Sequence, residues 1–124
     1  MIHLNRAAIK NRLEFIDTDN QNSRMLPLLQ YINDNLSGNL DIDTLAETFY
    51  ISKYYMMRQF KQETGYTIGG YISQKRLLLA KELILSGVSS KEACFSCGYK
   101  DYSTFSRAYK GLFGESPRDT RTLS

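Results

Sequence analysis

From Leu26 onward the apolar residues recur at intervals of three and four, and no stretch sustains a period of two. This pattern predicts an all-α fold. Leu28, Leu29, Ile32 and Leu36 mark the inward face of a helix from about Leu26 to Leu36, closed by Ser37-Gly38-Asn39. Asp41 can cap a second, short helix from Ile42 to Phe49, with Leu40 placed to staple onto Leu45. After a turn at Tyr50-Ile51, Ser52 caps a third helix from Lys53 to Thr64, and Gly65 ends it. A long helix follows, about Ile68 to Ser86, striped by Tyr71, Ile72, Leu77, Ala80, Leu83 and Ile84. Gly69 and Gly70 weaken its start, and Gly87 ends it. Ser89-Ser-Lys-Glu92 reads as a capping box for a short fifth helix ending near Gly98. Asp101 caps a sixth helix that reaches about Phe113, before Gly114, and Pro117 begins a final short turn or helix.

The third and sixth helices match at an offset of 49 residues. Ser52 pairs with Asp101, Met56 with Phe105, Arg58 with Arg107, Phe60 with Tyr109, Lys61 with Lys110 and Gly65 with Gly114. The chain therefore carries two helix–turn–helix units, at about 41–65 and 89–114, joined by a linker helix at about 68–86. The second turn is one residue longer, because Gly98 matches Tyr50 at an offset of 48. Met56 and Phe60 should face the core, as should Phe105, Tyr109 and Leu112. The opposite face of the third helix shows Tyr54, Met57, Arg58 and Lys61; the same offsets in the sixth give Ser103, Ser106, Arg107 and Lys110. A mid-helix arginine has the reach to give guanine O6 and N7 two hydrogen bonds, and a lysine one turn on suits a phosphate. One such stripe is ordinarily just a solvated helix face; its doubling argues for recognition. A connecting helix of about 20 residues is roughly 30 Å long. Successive major-groove faces of B-DNA lie about 34 Å apart. One chain would thus place both helices in adjacent grooves and read an asymmetric site.

Charge sharpens this picture. The 124 residues carry a net +3, but residues 1–52 hold four basic and seven acidic side chains (−3), and residues 53–124 hold twelve and six (+6). A basic C-terminal portion suits a polyanion. The length fits one domain, or one domain plus a tail. Residues 1–24 differ in character: Ile9, Leu13 and Ile16 have helical spacing, and Asp17–Ser23 reads as a polar linker. No run approaches the ~20 apolar residues of a membrane span, and no secretory signal opens the chain, so the expected location is the cytoplasm. Catalytic options are few. The single histidine is His3, no nucleophile–base–orienter set stands out, and Gly65-x3-Gly69-Gly70 lacks the Lys-Ser/Thr of a phosphate loop. The chain is read as a non-enzyme without cofactor. Cys94-Phe-Ser-Cys97 has the spacing of a redox pair or half a zinc site, but no second pair exists, and core packing is the favoured reading.

At this point the residues resemble a known family. Leu40–Arg121 is similar to the DNA-binding domain of AraC/XylS-type bacterial transcription regulators. The linker helix fits the family's Y-x4-R-x3-A-x2-LL pattern through Tyr71, Arg76, Ala80, Leu83 and Ile84. The second unit fits the signature GF-x-D/S-x-S-x-F-x-R-x-FK-x3-G-x-x-P through Gly98, Tyr99, Asp101, Ser103, Phe105, Arg107, Tyr109, Lys110, Gly114 and Pro117. The resemblance implies a seven-helix DNA-binding domain over about residues 25–121. It implies that Tyr54, Met57 and Arg58, and Ser103, Thr104 and Arg107, face the bases of duplex DNA. Ser52, Lys53, Lys61, Ser106 and Lys110 are assigned to the DNA backbone. It further implies regulation of transcription, more often activation, with RNA polymerase as a partner and a nucleoid-associated location. This domain is usually C-terminal in the family. Residues 1–24 are then a tail or the remnant of an upstream sensing or dimerising domain, and the chain is either a complete small regulator or a C-terminal part of a larger one. Four residues, at three places, depart from the pattern. Tyr50 stands at a turn position where glycine is common, at a cost of about 1 kcal/mol or more if it is left-handed. Ala93-Cys94 replaces the usual Ile/Val-Ala, which predicts looser packing of the fifth helix. Thr120 stands where tyrosine is common, which predicts a loosely anchored last helix. The reading from another class is a helical protein-interaction module, which would show no salt-sensitive affinity for duplex DNA.

Overall fold

Side-chain caps and glycines set most of the helix boundaries. The computed structural model describes residues 24–123, and these form seven helices: α1 (Leu26–Asp34), α2 (Ile42–Thr48), α3 (Lys53–Thr64), α4 (Ile68–Leu85), α5 (Ser90–Ser96), α6 (Tyr102–Phe113) and α7 (Pro117–Leu123). No strand occurs among the described residues. The amphipathic segment expected around Ile9, Leu13 and Ile16, and the linker Asp17–Ser23, lie outside them. The chain divides into two units. One comprises the residues up to Asp34 with Leu40–Ile68; the other comprises Asn35–Asn39 with the chain from Gly69 onward.

In the first unit, Asp41 Oδ1 accepts from the Thr44 N–H at 2.7 Å and Ser52 Oγ accepts from the Tyr55 N–H at 3.4 Å, each satisfying a donor that the helix start leaves orphaned. Leu28, Leu29 and Ile32 of α1, Leu45 and Ala46 of α2, and Met56 and Phe60 of α3 are buried. Tyr31 meets Phe49 edge to face, with ring centroids 5.5 Å apart. Between α2 and α3, Tyr50 takes a left-handed backbone conformation at φ 54° and is 94% exposed. Its side chain therefore gains little from packing while the backbone bears the steric cost. Tyr50→Gly should raise stability by about 0.5–1 kcal/mol, the relief of the left-handed conformation less the extra entropy of glycine. Thermal unfolding checks this, and a midpoint at or below the wild-type value would contradict it.

The second unit begins with a departure from expectation. α1 stops at Asp34, and Leu36 is half-buried in a turn rather than inward on a helix. The reason lies forty residues on. Arg76 of α4 donates from Nε to the Leu36 carbonyl at 2.8 Å and from Nη2 to the Gly38 carbonyl at 3.0 Å, which holds Asn35–Asn39 out of helical geometry. The unit's core gathers Leu77, Ala80 and Ile84 of α4, Ala93 and Cys94 of α5, Cys97, and Phe105 and Tyr109 of α6. Phe105 is flanked by Tyr99 and Tyr102 at 5.5 and 5.7 Å, and Tyr109 packs between Phe105 at 5.6 Å and Phe113 at 4.6 Å.

Three expectations are corrected here. Leu112 is 42% exposed, not core. The inward row of α6 follows 105, 109 and 113, four residues apart, so the half-buried Phe113 packs on Tyr109 and Leu112 faces outward. α5 is not loosely packed, since Ala93 and Cys94 are fully buried in the core. α7 is not loosely anchored either. The buried Thr120 hydroxyl is hydrogen-bonded to the Tyr109 hydroxyl at 2.8 Å and also contacts Glu115 Oε2 and the Ser116 carbonyl, so a small polar side chain does the holding.

Cys94 and Cys97 form no disulfide, and both are buried. Burial pushes both thiols up, Cys97 to about 11 against the opposing pull of the Tyr99 backbone hydrogen bond, and the Cys97 thiol donates to the Cys94 carbonyl at 3.2 Å, which also favours its protonated form. The nucleophilic thiolate is thus suppressed at neutral pH. A disulfide-exchange thiol reagent should label neither cysteine at pH 7–8 until denaturant unfolds the chain; stoichiometric labelling of the native protein would contradict the packing role. In the unfolded chain the Cys97 thiol ionises near 9.0, so its contribution to stability is whole below that pH and declines as pH rises toward about 11.

Candidate nucleic-acid interface

α3 and α6 each bury one face and expose the other. On α3, Met56 and Phe60 are buried, while Tyr54 is 68% exposed and Lys53, Arg58 and Lys61 are exposed. Met57 is half-buried at the edge of this row. Gln62, absent from the expected set, is exposed beside it, and its spacing of four from Arg58 is the sequence signal that carries it. On α6, Phe105 and Tyr109 are buried, while Ser103, Thr104, Arg107 and Lys110 are exposed and Ser106 is half-buried. Each helix thus presents an arginine at its middle and a lysine three residues on, next to small polar or aromatic groups. The two rows lie on separate units.

Local chemistry differentiates the members. Ser52 holds the α3 cap with its side chain, leaving the residue exposed. Lys53 Nζ lies 3.5 Å from Asp43 Oδ1 and 5.6 Å from the centre of the Tyr54 ring. Both carboxylate and ammonium are open to solvent, so that ion pair is worth little and does not prevent Lys53 from turning to another anion. On α6, Asp101 caps the helix through the Thr104 N–H at 2.8 Å and also accepts from the Thr104 hydroxyl at 2.7 Å. These bonds, with the Arg107 charge a smaller contributor, hold the Asp101 carboxyl below the usual carboxylate range. Sequence reasoning identified Asp101 as a cap and Thr104 as a contact residue, but not that one engages the other's hydroxyl. Among the described residues no group of His, Cys, Asp and Glu is arranged to hold a metal ion.

The turns that aim the two rows follow the expected difference in length. Four residues, Phe49–Ser52, join α2 to α3, and five, Cys97–Asp101, join α5 to α6. The left-handed positions are Tyr50 in the first turn and Gly98 in the second.

Comparison with known proteins agrees with this arrangement. A family model described as a helix-turn-helix domain matches residues 45–122. The chain belongs to the AraC-type helix–turn–helix family. It is 32% identical over 122 residues to the HTH-type transcriptional activator RhaS of Escherichia coli, a match that covers 98% of this chain and 42% of that relative. The chain thus spans less than half the length of this relative. Among solved structures, the C-terminal domain of AraT, a response regulator from Geobacillus stearothermophilus, matches with TM-score 0.73 and 32% identity, over 77% of this chain and 80% of that one. A probable AraC family transcriptional regulator from Rhodopseudomonas palustris shares the fold, with TM-score 0.68 and 23% identity over 91% of this chain and 96% of that one. No helix among the described residues is long and apolar enough to cross a membrane.

Proposed function

We propose that this chain binds duplex DNA sequence-specifically and regulates transcription, as an activator, with α3 and α6 entering adjacent major grooves. The observation that carries the reading is the repeated row: arginine at mid-helix, lysine one turn later, on the exposed face of both second helices. Tyr54, Met57 and Arg58, with Ser103, Thr104 and Arg107, face the bases. Ser52, Lys53, Lys61, Ser106 and Lys110 face the sugar-phosphate backbone. α4 has 18 residues. At 1.5 Å per residue that is about 27 Å of helix, comparable with the ~34 Å repeat of the major groove. Activation is favoured because RhaS is an activator, and RNA polymerase is then the protein partner. RhaS is longer than this chain, and an upstream sensing or dimerising domain would supply the signal here. The work is binding, not catalysis, and its place is the bacterial cytoplasm at the nucleoid.

The test is a selection from random duplex DNA at physiological salt, followed by sequencing of the enriched pool. Two short blocks about 10 base pairs apart are the expected result, with log K falling steeply against log salt. One block would mean that a single unit reads bases. Absence of salt-sensitive binding would defeat the proposal in favour of a helical protein-interaction module.

A further inference from the structure

The hydroxyl of Thr104 is already engaged within the protein. It donates to Asp101 Oδ2 at 2.7 Å, and the Thr104 backbone N–H donates to the same oxygen at 2.8 Å. The Asp101 carboxylate is ionised at neutral pH, as an ordinary aspartate is, and these two bonds lower its pKa further; an ionised carboxylate only accepts. A hydroxyl owns one proton and two acceptor lone pairs. With its proton directed at Asp101, the exposed Thr104 side chain offers its surroundings acceptor lone pairs and a methyl group, but no donor. The negative charge behind the bond polarises the oxygen and strengthens it as an acceptor.

The major groove sorts bases by this property. Adenine N6 and cytosine N4 are donors; guanine presents O6 and N7, and thymine presents O4, all acceptors. An acceptor facing another acceptor leaves both unsatisfied, which is the costly arrangement in a desolvated interface.

We propose that Thr104 is a specificity-determining residue that accepts a hydrogen bond from an exocyclic amino group, so that the base it faces is adenine or cytosine and not guanine or thymine. Asp101 is a positioning residue, acting through the direction in which it holds the Thr104 proton. The inference rests on the DNA-reading role of α6 proposed above. It has no counterpart in α3. The residue 49 positions earlier is Tyr55, half-buried, whose hydroxyl accepts from Arg24 Nη1 at 3.4 Å. The two units therefore read by different chemistry, and the amino-selective position belongs to the α6 block alone.

The experiment runs the random-duplex selection with the wild-type chain, Thr104→Ser and Thr104→Val, each checked for helical content by circular dichroism. Wild type and Thr104→Ser should share one position restricted to adenine and cytosine. Thr104→Val, which keeps the shape and loses the oxygen, should lose that restriction and leave the other positions intact. At a site with adenine there, replacing adenine by purine, which lacks the amino group, should weaken wild-type binding about two- to tenfold and leave Thr104→Val indifferent. If Thr104→Val does not fold, the purine substitution with wild type and Thr104→Ser decides alone: no loss overturns the inference. Guanine or thymine at the position Thr104 controls also overturns it, thymine meaning that the methyl makes the contact. A wild-type pool with no enriched sequence defeats the DNA-reading proposal itself. An enriched sequence that Thr104→Val leaves unchanged defeats only the amino-selective role.

Discussion

Gly98→Ala should destabilise the protein by about 3 kcal/mol or more, the range expected where backbone strain is combined with a severe steric clash and lost hydrogen bonds. Gly98 sits at φ 113°, where an L side chain is strained wherever it points. Worse, a Cβ there would lie 2.2 Å from the Leu36 carbonyl oxygen and 2.6 Å from Arg76 Nε. Neither neighbour is the free end of a flexible chain. The carbonyl is backbone, and the guanidinium is fixed by its bonds to Leu36 and Gly38. Relief therefore requires breaking those bonds or displacing the α5–α6 turn. For a domain of this size the melting temperature should fall by about 10 °C or more. Gly87→Ala is the matched control. Gly87 has φ 109° but open space where a Cβ would go, so it should show only the conformational cost, about 1 kcal/mol. Equal effects at the two glycines would mean that the close approach at Gly98 relaxes at no cost.

Arg58→Ala should act on the opposite property. Arg58 is exposed on α3, so its removal should leave stability within about 0.5 kcal/mol of wild type. Affinity at the preferred site should fall by about 1–3 kcal/mol, and preference at one base position should relax. Lys61→Ala, one turn on, should weaken binding evenly across sequences and lower the salt slope by about one. Titration of selected and scrambled duplexes at several salt concentrations separates the two. Unchanged affinity and preference in Arg58→Ala would mean that the recognition face of α3 has been misplaced.

Much of this was legible in the sequence because it is local. Asp41, Ser52, Ser89 and Asp101 each cap the helix they precede, and Gly65 and Gly114 each end one in the left-handed conformation. Such features need only a few neighbouring residues to be recognised. The exposed rows of α3 and α6 follow from the 3.6-residue period once Met56, Phe60, Phe105 and Tyr109 are assigned inward. What escaped depends on residues distant in the chain, or on angles finer than the period resolves. Leu112 and Phe113 are adjacent and both apolar, and it is the neighbours distant in the chain or a turn away, Lys81 and the Tyr109 ring, that cover Phe113. Leu36 leaves its helix because Arg76, forty positions later, engages its carbonyl. Thr120 looks like a weak substitute for an aromatic until the Tyr109 hydroxyl is placed beside it. The direction of the Thr104 proton is likewise a matter of geometry, since the sequence Asp-x-x-Thr allows a cap with or without it.

The grouping of Asn35–Asn39 with the chain beyond Gly69 bears on how this protein can be dissected. A fragment beginning in α4 contains both helices of the second helix–turn–helix, yet it lacks the carbonyls of Leu36 and Gly38. Its Arg76 would point two donors at vacated positions, and Gly98 would line a gap. A fragment ending before α4 has the complementary excess, five residues whose anchoring partners have been cut away. The sequence boundary between the two recognition motifs is therefore not a boundary of independent folding, and exchanging second units between regulators requires grafting the α1–α2 connector together with them.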